Sequence, residues 1–381
     1  MVKAQVGRHY YIDWLRVGAM FLLLFYHSGR LFDEPGWHIK NAEFNLGIEV
    51  FNRVLDVWHM PLFFILAGAS VWFALERRTL GGFTKERILR LFVPLVFGML
   101  IIVPPQVYAE RIFDGDFTGS FIAWYPNTFH GAYSNDNPQT GNLSWHHLWF
   151  LAYLFVFSLI LIPAFSYFRS EQRKSLISNI AGFLEKPAAI FLPSIPLIII
   201  NITLRPIYGW GNQNLISDWA NFLFYITVFF YGFLLVSDDR ILQIVRRNTP
   251  AALTAAIVVS VGIALIKFEV LALPGSIEMA FYAVACWCWL LAIIGIGSRL
   301  LNFTNRALRY ASDAVLPVYI LHQTIIVTLG YFVIKWETGV APKYLFIVAA
   351  TLVGSLAIYE VARRTIVTRF LFGLRLKKGS R

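Results

Sequence analysis

Apolar runs about twenty residues long, separated by short polar stretches, recur from one end of the chain to the other. Each is close to the roughly 20 residues that a helix needs to cross a bilayer core. Ten such runs are readable, at about residues 11–31, 48–75, 91–109, 148–168, 188–204, 219–236, 251–268, 277–298, 313–333 and 343–362. Helices are the expected form. Backbone groups in lipid must pair within their own segment, and a lone sheet would leave its edges open. The pattern therefore predicts an all-α, polytopic integral membrane protein, a single bundle of about ten transmembrane helices forming one domain over 1–381.

Composition agrees. Of 381 residues, 57% are hydrophobic, 17% aromatic and only 14% charged, with a mean hydropathy of +0.61. A soluble domain carries about 25% charged residues, so the apolar surplus belongs in lipid. The net charge of +11 does not indicate nucleic acid, because the basic residues sit in short loops between apolar runs. One side holds Arg30, Lys40, Arg53, Arg111, Arg205, Lys267, Lys335 and Lys343. Arg16 lies within a run. The rest of the 33 Lys and Arg fall at the N-terminus (Lys3, Arg8), in the loops near 76–90, 169–187, 237–250 and 299–312, and in the tail from 363. The positive-inside bias then places both termini in the cytoplasm. No cleavable signal peptide is evident, since the first run carries Arg16 and His27. Cys286 and Cys288 diverge by about 200° on a helix and make neither a disulfide nor a zinc knuckle with each other.

Arg16 and His27 are the most informative residues. Arginine in mid-membrane costs roughly 2.5–3.5 kcal/mol on insertion scales. Eleven helical steps total about 1100° and about 16 Å, so the two side chains share a face at different depths. Asp13 lies three residues before Arg16 and can pair with it; Arg16 can also snorkel to headgroups. A lone histidine near an interface is commonly a packed, satisfied residue, and the shared face with Arg16 argues for more. His59 precedes Pro61, whose freed carbonyl it could satisfy. His146 and His147 point about 100° apart, which disfavours a shared metal. Tyr319 and His322 are three apart and within hydrogen-bonding reach on one face. Glu360 can pair with Arg363 or Arg364.

Two segments outside the apolar runs stand out. Residues 76–94 (ERRTLGGFTKERILRLFVP) are basic and amphipathic, and suit a helix lying on anionic lipid. Residues 110–147 combine Asp114, Asp116 and Asp136 with Phe117, Phe121, Trp124, Tyr125, Phe129, Tyr133 and Trp145. Aromatic faces beside carboxylates suit carbohydrate; an interfacial aromatic belt is the plainer reading. The sequence has no HExxH, no CxxC, no Walker loop and no GxSxG elbow, so no metal site is expected and a serine hydrolase has no support.

The Arg and His separated by ten residues in the first run resemble the signature of the acyltransferase-3 family of membrane acyltransferases. Arg87, Arg90 and Pro94 in KERILRLFVP resemble that family's Arg-x-x-Arg-x-x-x-Pro element. FFILAG (63–68), HLWFL (147–151), RLLNF (299–303), LPVYILH (316–322) and YE (359–360) are similar to the branch that succinylates osmoregulated periplasmic glucans. The resemblance implies a multi-pass protein of the bacterial inner membrane that uses cytoplasmic acyl-CoA, succinyl-CoA in that branch, as co-substrate. A glucan or related periplasmic carbohydrate is the acceptor it implies. On this reading Arg16, Arg87 and Arg90, with Asp13, hold the anionic nucleotide. His27 is the general base on the sugar hydroxyl, and Tyr319, His322 or His147 donates to the oxyanion. Arg30, Arg53 or Arg205 faces a succinyl carboxylate, and His59 and Trp149 line the substrate path. The rival is a proton-coupled carrier of carbohydrate or organic acid, which a polar seam across ten helices also describes. The sequence shows no paired broken helices or inverted repeat of the kind carriers use.

Overall fold

The structure is a computed structural model that describes residues 9–133, 141–211, 213–267 and 269–375. Lys3, Arg8 and Asp136 lie outside the described residues, as does the tail beyond 375. The described chain is helical, with one isolated bridge between Ala132 and Leu143. The helices in chain order are α1 (Tyr10–Gly29), α2 (Leu46–Glu76), α3 (Leu80–Phe113), α4 (His146–Ile160), α5 (Ile162–Arg169), α6 (Lys174–Leu184), α7 (Ala189–Tyr208), α8 (Trp219–Leu235), α9 (Asp239–Lys267), α10 (Gly275–Leu300), α11 (Arg306–Val333), α12 (Val340–Ala362) and α13 (Ile366–Leu371).

All ten predicted runs are helical, but they are not equally suited to cross a membrane. Among the described residues, seven helices are long and apolar enough, and α4 with α5 makes an eighth if that bent pair is one span. The pair bends by 52° where Pro163 follows Ile162, because proline cannot donate to the helix and its ring crowds the preceding turn. At 17 residues, α8 covers only about 26 Å. The helix α1 carries Asp13, Arg16 and His27, and it packs among α2, α10, α11 and α12, so its polar groups can face protein instead of lipid.

The basic segment 76–94 differs from the reading of a helix lying on lipid. Thr79 caps the backbone N–H of Gly82 at 3.2 Å, and the helix begun at Leu80 continues to Phe113 over 34 residues. Two π-helical turns, Ile88–Phe92 and Gly98–Ile102, interrupt its α geometry.

Loops assigned to one side by charge do share one end of the bundle. Arg240 donates to Ser178 at 2.8 Å, Arg246 to Ser298 at 3.0 Å, Trp14 to the Phe303 carbonyl at 3.0 Å, and Arg90 to the Gly373 carbonyl at 3.2 Å. This arginine-rich end is opposite the end formed by residues 30–45, 110–133, 141–147, 209–211 and 213–218.

Helices α2 and α8 meet with almost no side chain between them. A Cβ on Gly68 would lie 1.8 Å from the Phe229 carbonyl oxygen, and one on Gly232 would lie 1.9 Å from that of Ile65. Small residues at membrane helix contacts permit this approach. Gly232→Val is therefore expected to cost about 1–3 kcal/mol or more by overpacking, read as a lowered melting temperature and loss of a monodisperse peak in detergent.

A strap between α1 and α2 closes the other end. The buried Asp33 accepts from Arg30 at 2.7 Å, Lys40 at 2.8 Å and Asn52 at 3.0 Å. Leu31, Phe32 and Ile39 pack on Ile326, Val327, Val333 and Ile347. Lys343 donates to Asn41 at 3.0 Å. The strap is thus held by both polar and apolar contacts, and it carries Trp37 and His38.

Candidate active site

Under the strap lies a cavity of about 1490 Å³. Its walls come from α1, α2, α3, α4, α7, α8, α9, α10, α11, the strap and the described part of the segment after α3, and include His27, His38, His59, His146, His147, Trp149 and Arg205. Side chains far apart in sequence are brought together here. The His27 ring lies 5.1 Å from that of His322, which lies 5.1 Å from that of His147. Trp37 stacks on His27 at 6.0 Å.

Hydrogen bonds fix how these imidazoles act. His147 donates Nε2–H to the Ile320 carbonyl at 2.9 Å, so its Nδ1 carries the lone pair when the ring is neutral. His322 donates Nδ1–H to the Tyr319 carbonyl at 2.6 Å, which leaves the lone pair on Nε2. Both of those lone-pair atoms, and Nδ1 of His27, are buried without a hydrogen-bond partner among the described residues. Buried polar atoms are normally satisfied, and two of these orphans, on His27 and His147, belong to rings that line the cavity, where they suit a bound ligand.

In this geometry the candidate oxyanion donors are engaged elsewhere. The Tyr319 hydroxyl donates to the His147 carbonyl, so it is not free to donate elsewhere. The Tyr319–His322 side-chain bond is not formed; His322 uses the backbone of residue 319 instead. Neutral His147 and His322 offer lone pairs, not donors. His59 bonds across to α1, donating to the Ala19 carbonyl at 2.8 Å, and does not serve the carbonyl freed by Pro61. Trp149 packs on Tyr225 at 5.4 Å.

The three candidate cations on the cavity wall are not equivalent. Arg30 is bound to Asp33 at 2.7 Å and Arg53 to Glu49 at 2.6 Å. Arg205 is 4% exposed and forms no ion pair among the described residues. Its partners are the Asn201 side chain at 3.3 Å and the Gly209 carbonyl at 3.0 Å, and its guanidinium stacks on Trp210 at 4.2 Å. Asp218, on the loop entering α8, is a more distant electrostatic partner. Burial raises Asp218 to about 6 against opposing hydrogen bonds from Tyr153 and Asn221. Burial also raises Asp114, on the far rim.

Arg16, Arg87 and Arg90 do not line this cavity. Arg16 donates to Ser70 at 2.8 Å and pairs with Asp13 at 3.5 Å. It is close enough to Arg87 for their charges to interact. Glu86 lies 3.8 Å from Arg87 and 3.6 Å from Arg90, and Arg87 Nε is buried without a hydrogen-bond partner among the described residues. Glu360 pairs with Arg363 at 3.3 Å. Along α1 the polar groups therefore divide between two ends, Arg16 at one and His27 at the other. No group of three or more His, Cys, Asp or Glu among the described residues is arranged to hold a metal.

In the 110–147 segment the two readings separate by residue. Phe121 and Trp124 pack on Tyr108 at 5.4 and 5.8 Å, as a structural aromatic cluster. Tyr133, Trp145 and Asp114 line the cavity. Sequence reasoning missed His38, Glu110 and Gln323 entirely. His38 Nδ1 donates to the Glu110 carboxylate, and Gln323 Nε2 donates to His38 Nε2 at 3.1 Å. Nothing in their spacing links positions 38, 110 and 323; only the strap brings the first to the other two.

The chain is similar to glucans biosynthesis protein C of Salmonella schwarzengrund (strain CVM19633), 23% identical over 391 residues, covering 98% of this chain and 96% of that one. It is likewise similar to glucans biosynthesis protein C of Escherichia coli (strain K12), 24% identical over 390 residues, covering 97% and 95%. No solved structure matches. An acyltransferase domain matches residues 9–360, nearly the whole described bundle, and the chain belongs to the acyltransferase-3 family of membrane acyltransferases.

Proposed function

We propose that the protein transfers an acyl group, succinyl, from cytoplasmic acyl-CoA to a hydroxyl of a periplasmic glucan or related carbohydrate, with His27 as the general base. One observation carries this reading: an unpartnered, buried His27 Nδ1 stands on the wall of a large cavity, with the unpartnered nitrogens of His322 and His147 in neighbouring rings, in a chain of the acyltransferase-3 family. The relatives' names, which concern glucan biosynthesis, suggest the acceptor class.

The arginine-rich end is cytoplasmic on this reading, following the charge rule, with ten spans and both termini inside. Arg16, Arg87 and Arg90 meet the nucleotide phosphates, for which guanidinium is suited. The acyl thioester reaches the cavity end. His27 takes the hydroxyl proton as oxygen attacks the thioester carbonyl; the C–S bond breaks, and the thiolate recovers a proton from His27. The His322 and His147 lone pairs face the imidazolium formed in between. No carboxylate pairs with any of these three rings among the described residues, so the charge is held by neighbouring dipoles and not by an anion. Arg205 faces the free carboxylate of the succinyl group.

The test uses the detergent-purified full chain with radiolabelled succinyl-CoA or acetyl-CoA and a linear β-glucan oligosaccharide. Label from succinyl-CoA should appear on the glucan as an ester. Label from acetyl-CoA alone would leave the transferase but remove the succinyl assignment. An unmodified glucan with both donors, alongside glucan uptake into proteoliposomes, would establish a carrier instead.

A further inference from the structure

We propose that Glu110, His38 and Gln323 form a hydrogen-bonded chain that binds one hydroxyl of a vicinal diol on the carbohydrate acceptor, presenting the neighbouring hydroxyl to His27. The proposal deepens the acyl-transfer reading above and rests on it for the identity of the acceptor.

All three side chains are buried: His38 is 8% exposed, Glu110 3% and Gln323 3%. Each also lines the cavity. The direction of every proton in the chain follows from its first member. The Glu110 carboxylate accepts from His38 Nδ1–H, so the neutral ring carries its lone pair on Nε2. That lone pair accepts from the Gln323 amide at 3.1 Å, which commits one N–H of the amide nitrogen to His38 and so orients the group. The amide oxygen Oε1 is then the atom left over, and it has no hydrogen-bond partner among the described residues. A carboxylate has thus fixed, through an imidazole, which way an amide points.

The anchor of the chain is itself held. Glu110 Oε1 accepts from the Tyr133 hydroxyl at 3.0 Å and from Arg111 at 3.3 Å. The strap that carries His38 is pinned by the buried Asp33. A buried polar chain anchored on a held carboxylate, ending in an unpartnered amide oxygen on a residue of the cavity wall, is a built subsite for a donor. Ring contacts supply the register: Gln323 is bonded to His38, whose ring lies 5.1 Å from that of Trp37, itself stacked on His27 at 6.0 Å. A sugar hydroxyl that donates to Gln323 Oε1 therefore lies next to the imidazole cluster. Its neighbour on the same ring is the hydroxyl left for His27, and Trp37, stacked on His27, offers a face to the sugar.

The roles are those of positioning residues, and the measurement separates binding from chemistry. Binding of a linear β-glucan oligosaccharide to the detergent-purified full chain would be followed by tryptophan fluorescence in wild type, Gln323→Ala and Glu110→Gln. In Glu110→Gln the side-chain amide can donate to His38 Nδ1. This moves the ring proton to Nε2 and turns the Gln323 oxygen away from the cavity. Both variants should bind the oligosaccharide about tenfold more weakly, the loss expected for a buried hydrogen bond. In transfer assays the KM for glucan should rise while the KM for acyl-CoA and kcat at saturating glucan hold. Gln323→Ala removes only the last member of the chain and keeps the test open if Glu110→Gln fails to fold. Absence of saturable binding in wild type, or unchanged binding in folded Gln323→Ala, would overturn the inference. Wild-type binding lost in the variants, without transfer from any donor, would support the subsite and overturn only the acyl-transfer reading.

Discussion

Replacing His27 with alanine is expected to lower kcat for acyl transfer by about 10²–10⁴, the range for a positioned general base, with little change in the KM for acyl-CoA. The split follows from geometry. His27 faces the cavity at one end of α1, whereas Arg16, which on the proposed reading meets the donor nucleotide, lies about 16 Å away along the same helix. The loss should not come from unfolding. The described structure gives His27 Nδ1 no hydrogen bond to break, and alanine removes a buried polar atom that is costly when unpaired. Thermal melting of His27→Ala should match or exceed wild type. Arg16→Ala should show the converse pattern, a raised KM for acyl-CoA, because it removes a partner of Ser70 and a neighbour of Arg87. Full transfer by folded His27→Ala would remove it as the base and leave the lone pairs of His147 and His322 as the next candidates.

The second large effect concerns donor choice. Arg205→Gln should reduce kcat/KM for succinyl-CoA by about tenfold to a hundredfold while leaving acetyl-CoA nearly unchanged, since a hydrogen bond to a charged group is worth about 1.5–3 kcal/mol. Arg30 and Arg53 are spoken for by Asp33 and Glu49; a succinyl carboxylate brought to either would compete with an existing anion. Arg205 is held from behind by Asn201 and Gly209 and from one face by Trp210, which orients the guanidinium without neutralising it. Arg205→Lys should not restore the preference, because an ammonium neither stacks on the indole in the same way nor offers a planar fork. An equal fall for both donors would assign Arg205 to the packing of α7.

The sequence made the bundle legible because its message is local. Twenty apolar residues specify a helix in lipid wherever they occur, and all ten runs are helical. Departures arise where local geometry competes: the kink before Pro163, the short α8, and the basic segment that continues into α3 instead of lying apart. The site was legible only where both members of a relation lay on one helix, as with Arg16 and His27 or Asp13 and Arg16. The FFILAG motif was readable as a resemblance, yet part of its role is mechanical: Gly68 lets α2 touch α8. His38 and Glu110 left no trace in periodicity, since a loop residue has no helical phase and the partner is 72 positions away. The hydrogen-bond directions of His147, Tyr319 and His322 were equally out of reach. They depend on backbone carbonyls, which the identity of a side chain does not encode.

The two π-helical turns of α3 set the phase between its ends. Relative to an α-helix, each accommodates one residue more, a rotation of about 100° for everything beyond it. Arg87 and Arg90 lie at the first turn, and Glu110 lies past the second. The face that Glu110 turns toward His38 is thus fixed relative to the arginine end by two turns that carry none of the chemistry themselves. A helix of the same length without them would rotate one end by about 200° against the other, so the arginines and Glu110 could not both keep their present neighbours.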